Sequence, residues 1–272
     1  MAVARNGGAW INWRAEGSGD PVLMIMGLAG SSRAWFRLLP HVAEGHRAIV
    51  FDNRGTGDSD GVSRLLRMGD LVGDALAVLD AAEVQSAHVI GVSMGGMVAQ
   101  HLALDHRDRV RSLILGCTTP GGGGTPSWRL LAGTALRPLL GPRRTFPILA
   151  PALYAGRTRR ENPERVRADL EMRIADATDV RTSYAQMAAV AGHDTRDRLP
   201  ELAGLPVTVL HGADDTLVPP RHGRFLADAI PGARLVEFPD CGHMLTTDAE
   251  KPVVSAVLHH LDRCAERSPQ PA

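Results

Sequence analysis

One stretch, Gly91-Val92-Ser93-Met94-Gly95, restricts this chain more than any other, because an apolar run from Ala87 to Ile90 enters it and Met97 to Leu104 leaves it at helical spacing. The pattern reads as a strand, a forced turn at one serine, and a helix. A serine in a strained turn needs neighbours with almost no side chain, and Gly91 and Gly95 supply that clearance. Its hydroxyl then stands at the carboxyl end of a strand and at a helix N-terminus, whose partial positive charge favours a developing anion. Five glycine-rich residues are common in turns; the placement between strand and helix is what makes them point to a mounted nucleophile.

Around this turn the chain alternates. Strand patterns run over Ala9–Ala15, Val22–Met26, Arg47–Phe51, Val110–Leu115, Pro206–Leu210 and Arg234–Phe238, with helical patterns between most of them. Several are continuous apolar runs, as expected of strands covered on both faces. The rhythm predicts an α/β fold with a doubly wound, mostly parallel sheet, which binds ligands beyond the carboxyl ends of its strands. Ser93 falls there, and so does the small-residue loop Gly27-Leu28-Ala29-Gly30-Ser31-Ser32 that follows Val22–Met26. A loop of this kind can aim a backbone N–H at a substrate oxygen, which makes Leu28 and Met94 the candidate oxyanion donors. The Asp52-Asn53-Arg54 turn is read as structural, held by Asp and Arg hydrogen bonds at the sheet rim, with a substrate contact the alternative. Asp70 is read as the cap of a helix through Leu79.

Alternation stops at Thr118-Thr119-Pro120, where Gly121 to Gly124 can form a hinge, and no strand pattern returns before about Asp197. The intervening segments, Trp128–Leu140, Pro147–Tyr154, Pro163–Ala177 and Ser183–Ala191, are helical, and Asn162-Pro163 looks like a helix start. The expected organisation is a core over 1–117 and 198–265, a helical lid over 118–197, and a frayed tail over 266–272. The run Arg157-Thr158-Arg159-Arg160 is read as a solvated helix lead-in, with attraction of an anionic substrate the alternative. His193-Asp194, where the insertion returns to the core, is read as a hydrogen-bonded hinge, with substrate contact the alternative.

A serine nucleophile needs a base, and the base needs an orienting acid. Asp215 and His243 lie in loops after consecutive late strands, on the same sheet edge as Ser93, in the order expected after a strand-turn-helix nucleophile. Asp214 is the competing acid. Of 11 histidines, spacing singles out His243, while His211 ends a strand and is expected to pack there. Cys117 and Cys241 are expected as small buried residues.

Composition narrows the partners. Lys plus Arg equals Asp plus Glu at 30 each, so no global field recruits nucleic acid or a membrane surface, and a small molecule is expected. Three widely spaced cysteines show no disulfide or metal spacing, and no leader or anchor pattern is visible, so a reducing cytoplasm is the expected setting. No metal or cofactor motif is placed convincingly.

The chain resembles the α/β-hydrolase fold superfamily over nearly its whole length. Gly91-Val92-Ser93-Met94-Gly95-Gly96-Met97-Val98-Ala99-Gln100 and Leu104-Asp105-His106-Arg107-Asp108-Arg109-Val110 look like the 3-oxoadipate enol-lactonase and aclacinomycin methylesterase branches. The resemblance implies Ser93 as nucleophile, Asp215 as acid and His243 as base. Many members show His-Gly where this chain has Met26-Gly27, a departure that removes a side chain from the oxyanion loop and keeps its backbone donor. The implied activity is hydrolysis of a carboxylic ester or lactone through an acyl-enzyme, without a cofactor. Carbon–carbon bond hydrolysis, cofactor-free perhydrolysis and a non-catalytic binding role are the alternatives on this fold. A dehalogenase would carry aspartate in place of Ser93.

Overall fold

The protein is seen in a computed structural model that describes residues 2–122, 128–176 and 178–266. Its sheet has eight strands: β1 (Ala2–Asn6), β2 (Ala9–Glu16), β3 (Pro21–Ile25), β4 (Arg47–Phe51), β5 (Ala87–Val92), β6 (Val110–Gly116), β7 (Val207–Gly212) and β8 (Arg234–Phe238). They are ordered β1-β2-β4-β3-β5-β6-β7-β8. β2 runs antiparallel to β1 and β4, and every other pairing is parallel. This is the doubly wound, mostly parallel sheet expected. β1 was not expected, because its residues alternate weakly and face solvent on most positions, leaving no periodic signal to read.

Side chains along each central strand feed two cores. Leu23 and Ile25 of β3 pack with Leu71, Val78 and Leu79 of α2 (Met68–Ala81) and with Val98 and Leu102 of α3 (Met94–Asp105), whereas Val22 and Met24 join Trp35, Leu38, Val42 of α1 (Leu39–Ala43) and Val257 on the opposite face. Burial on both faces explains why these strands read as unbroken apolar runs. The close seat of α3 on the sheet depends on glycine. A Cβ on Gly95 would stand 2.1 Å from the Ile25 carbonyl oxygen, and one on Gly91 would stand 2.3 Å from the Gly95 carbonyl oxygen.

Between β6 and β7 the chain is helical: α4 (Trp128–Leu153), α5 (Gly156–Glu161), α6 (Pro163–Ala175) and α7 (Val180–Ala191), then a 3-10 segment at Arg196–Leu202. α4 spans two of the expected segments, with a break at Gly141, whose φ is 75°. The basic run belongs to α5 itself, and Arg157 pairs with Glu161 at 2.9 Å. Gly121 is pinned, forming a bridge with Asp194, while Gly123 and Gly124 lie outside the described residues. Residues 267–272 of the expected tail also lie outside them.

Two caps differ from expectation. Asp70 is the third residue of α2, and its carboxylate reaches back to accept from the Arg67 amide at 2.8 Å. Asn162 makes no side-chain cap to α6, where Pro163 at the first position already removes one donor needing an acceptor.

Candidate active site

Ser93 connects β5 to α3 with φ 54° and ψ −121°, a left-handed conformation that side chains rarely adopt. Its amide donates to the Gly116 carbonyl at 2.8 Å, and its own carbonyl accepts from Thr118 Oγ1 at 2.7 Å. These bonds tie the turn to the end of β6. On the other side lies Gly27, where a Cβ would stand 3.1 Å from Ser93 Cβ and 3.7 Å from its Oγ. The loop after β3 is therefore in contact with the serine.

That loop is held from two sides. Asn53 Nδ2 donates to the Met26 carbonyl at 2.8 Å from the core. From the helical insertion, Gln186 Oε1 accepts the Ala29 amide at 2.8 Å, and Thr178 Oγ1 donates to the Ala29 carbonyl at 3.1 Å. Ala29 has φ 58°, so a second strained residue sits beside the first. Among the described residues the Leu28 amide has no acceptor, and the Met94 amide lies in the first turn of α3, where no preceding carbonyl serves it. Asn53 and Gln186 carry no sequence signal for this role. Asn53 reads as a turn residue, and Gln186 as one polar position in an amphipathic helix, although its side chain is fully buried.

Asp215 and His243 come together as expected. His243 Nδ1 lies 2.7 Å from Asp215 Oδ2, and Asp215 Oδ1 accepts the Leu217 and Val218 amides at 2.9 and 2.8 Å. Burial pushes the Asp215 carboxyl up, but the charge and hydrogen bond of His243, with the Val218 amide, outweigh it and hold it below the ordinary value. The pair therefore favours a carboxylate facing Nδ1, and His243 would keep its other nitrogen for a partner. Asp214 is exposed, and its amide bonds the Cys241 carbonyl, so the loop turns that side chain outward. His211 is fully buried, with Nε2 2.8 Å from the Val218 carbonyl and 3.6 Å from Asp215 Oδ2, and burial lowers its pKa. It packs behind the acid as expected.

Cys117, following β6, brings the two halves of the site together. Its sulfur, an Asp215 oxygen and a His243 nitrogen lie within 4.8 Å of one another, while the residue before it accepts the Ser93 amide. Three such donors could hold a metal ion, but burial and the Asp215 charge push the Cys117 thiol well up, and the Asp215 oxygens already have partners. The donor set fits a proton relay better than a metal centre. Cys241 is buried, with its thiol likewise raised by burial.

The remaining candidates take structural places. Asp52 is buried and accepts from Asn12 Nδ2, the Ser32 amide and the Asp58 amide at 2.9, 2.7 and 3.0 Å. Arg54 forms a two-pronged ion pair with buried Asp74 of α2. His193 is buried between His101 and the Thr119 carbonyl, at 3.2 and 2.9 Å, and Asp194 pairs with Arg196 at 2.7 Å. Both serve the return of the insertion.

An open, mostly parallel sheet with a strained serine between strand and helix, and with hydrogen-bonded Asp and His in later loops, defines the α/β-hydrolase class. The chain belongs to the alpha/beta hydrolase fold family, whose sequence profile matches residues 20–249. It is 32% identical over 281 aligned residues to rhodomycin D methylesterase DauP of Streptomyces sp. strain C5, covering 90% of this chain and 93% of that protein. It is 28% identical over 259 residues to the 2-hydroxy-6-oxo-6-phenylhexa-2,4-dienoate hydrolase of Comamonas testosteroni, covering 86% and 84%. The crystal structure of the enol-lactonase from Burkholderia xenovorans LB400 superposes with a TM-score of 0.86 at 23% identity, covering 96% of this chain and all of that one (100%), and so shares the fold. Among the described residues no helix is long and apolar enough to cross a membrane.

Proposed function

We propose that this protein is a serine hydrolase that cleaves a small carboxylic ester or lactone through an acyl-enzyme on Ser93. The observation that carries the reading is the 2.7 Å contact between His243 Nδ1 and Asp215 on the sheet edge where Ser93 stands in its strained turn. With Nδ1–H donated to Asp215, Nε2 is the acceptor for the Ser93 proton as Oγ attacks the carbonyl carbon. The Leu28 and Met94 amides receive the oxyanion. His243 then protonates the leaving alkoxide, and a water that it deprotonates releases the acid from Ser93. Every proton moves through one imidazole, so no cofactor enters the cycle. The helical insertion over 118–197 acts as the lid, with Gln186 and Thr178 linking it to the oxyanion loop.

The methylesterase named among the relatives supports ester cleavage over the carbon–carbon hydrolase chemistry also found on this fold. Two free, buried cysteines, Cys117 and Cys241, suit a reducing cytoplasm. The test is burst release of p-nitrophenol from a short-chain ester, with labelling of Ser93 by a neutral fluorophosphonate. Ser93→Ala is expected to abolish the burst and lower turnover by several orders of magnitude at nearly unchanged melting temperature. Turnover near wild type in that variant would remove Ser93 from the reaction.

A further inference from the structure

The first half of α4, from Trp128 to the break at Gly141, is amphipathic with its faces exchanged. The side toward the rest of the protein carries Gly133 and Thr134, both buried, and half-buried Arg137. A Cβ on Gly133 would stand 2.6 Å from Leu149 Cγ, so the second half of α4 packs against this side. Solvent receives Trp128, Leu131, Ala135 and Leu139, whose spacing makes one helical stripe, with Leu136 and Leu140 beside it. Leu139 is 82% exposed and Trp128 is 64% exposed. Of the eleven large apolar side chains exposed among the described residues, five belong to this half-helix. Single exposed leucines need no partner, whereas a contiguous row of them marks a surface that something covers.

The charges around the stripe have one sign. From Thr118 to Arg160 the chain carries seven arginines and neither aspartate nor glutamate, so the overall balance of 30 against 30 is not shared by this stretch. At the helix start Arg129 lies over the Trp128 ring, 4.5 Å from its centroid, and just past Gly141 the side chains of Arg143 and Arg144 are exposed. Arg143 pairs with Glu171 at 2.7 Å, but among the described residues Arg129 and Arg144 pair with no carboxylate. A second copy docked on the stripe in either direction would set arginine against arginine, with no carboxylate of the stretch to answer it. Negatively charged lipid headgroups complement the same arginines. An apolar helix face of tryptophan and leucine bordered by cations is the composition that lies in the plane of a lipid surface.

We propose that the outer face of α4, from Trp128 to Arg144, docks on the surface of an anionic lipid bilayer. Leu131, Leu136, Leu139 and Leu140 enter the acyl boundary, Trp128 sits at headgroup level, and Arg129 and Arg144 meet lipid phosphates. The contact is peripheral, since among the described residues no helix is long and apolar enough to cross a membrane. It goes beyond the hydrolase reading and requires nothing of Ser93.

The experiment is co-sedimentation of the full chain with vesicles of phosphatidylcholine alone and of equal parts phosphatidylcholine and phosphatidylglycerol. Wild type is expected to bind the anionic vesicles at least about tenfold more tightly, and to lose most of that preference in about 1 M salt, where surface charges are screened. Leu139→Glu is expected to weaken binding to the anionic vesicles about tenfold or more, and Arg129→Gln combined with Arg144→Gln to narrow the preference several-fold. Melting temperature is expected to stay nearly unchanged in both, because the altered side chains lie at the surface. Tryptophan emission of the wild type is expected to shift to the blue on anionic vesicles, and Trp128→Phe to remove the shift. Binding of neither vesicle, equal binding of both, or binding indifferent to Leu139→Glu overturns the docking face. Self-association in sedimentation velocity that Leu139→Glu abolishes, without vesicle binding, gives the face to a second copy and overturns it as well. Labelling by a neutral fluorophosphonate without vesicles reads the Ser93 assignment separately.

Discussion

At Ser93 the backbone adopts φ 54° and ψ −121°, a region that glycine enters freely and a serine enters at a cost of about 1–3 kcal/mol. A Cβ on neighbouring Gly27 would crowd the Ser93 side chain, and Cβ atoms on Gly91 and Gly95 would collide with backbone of α3 and β3 and push the helix off the sheet. Strain here serves position, so relieving it is expected to trade activity for stability. Ser93→Gly should melt higher than both wild type and Ser93→Ala in a thermal scan; a lower melting temperature would mean that the turn stores no strain. The acid can be tested at the same scale. Asp215→Asn would face His243 Nδ1 with an amide and favour the wrong tautomer, with an expected loss of about ten-thousand-fold in kcat. Asp214→Asn, on an exposed side chain one residue earlier, is expected to stay within about twofold, and the reverse ranking would move the acid.

At the scale of elements, β5 and α3 were legible because a short apolar run gives way, across two glycines, to apolar residues at helical spacing. What α7 does was not legible. It sends Gln186 into the core, where the carboxamide accepts from Ala29 N–H at 2.8 Å and donates to the Arg54 carbonyl at 3.2 Å, linking the helical insertion to both rim loops. Gln186→Leu keeps the volume and strands two buried backbone groups, so unfolding stability should fall by about 1–3 kcal/mol. Because one of those groups positions the loop carrying Leu28, kcat on a p-nitrophenyl ester should fall as well. A stability loss with kcat intact would make the link purely structural.

Across the whole molecule, the end of the sheet opposite the site carries its own polar cluster. Ser112 Oγ lies 2.7 Å from His88 Nδ1 and 2.8 Å from His260 Nε2, and His260 Nδ1 lies 2.8 Å from Thr208 Oγ1. One hydroxyl can accept from one ring and donate to the other only while the ring that takes its proton is neutral. Burial brings His88, His260 and, where the helical insertion returns to the sheet, His193 from 6.5 down to about 4. The unfolded chain therefore binds protons that the folded chain refuses between these values. Stability is expected to be complete above about pH 6.5 and to fall progressively toward pH 4, read as melting temperature against pH at constant ionic strength. Replacing His88 and His260 together by glutamine should flatten much of that slope, and an unchanged slope would place the acid sensitivity elsewhere.

From the residues alone followed the parallel sheet, the turn at Ser93, the helical character of the insertion and the chain order of Ser, Asp and His, because each rests on local periodicity or on a glycine whose conformational need is local. Only the tertiary structure shows that Asp215, and not Asp214, meets His243, since adjacent carboxylates in a loop differ only in which way the backbone turns them. It also revealed the support that Asn53 and Gln186 give the loop carrying Leu28, at separations of 27 and 157 residues. β1 escaped because an exposed edge strand is stabilised by its neighbour's hydrogen bonds and not by a buried face of its own.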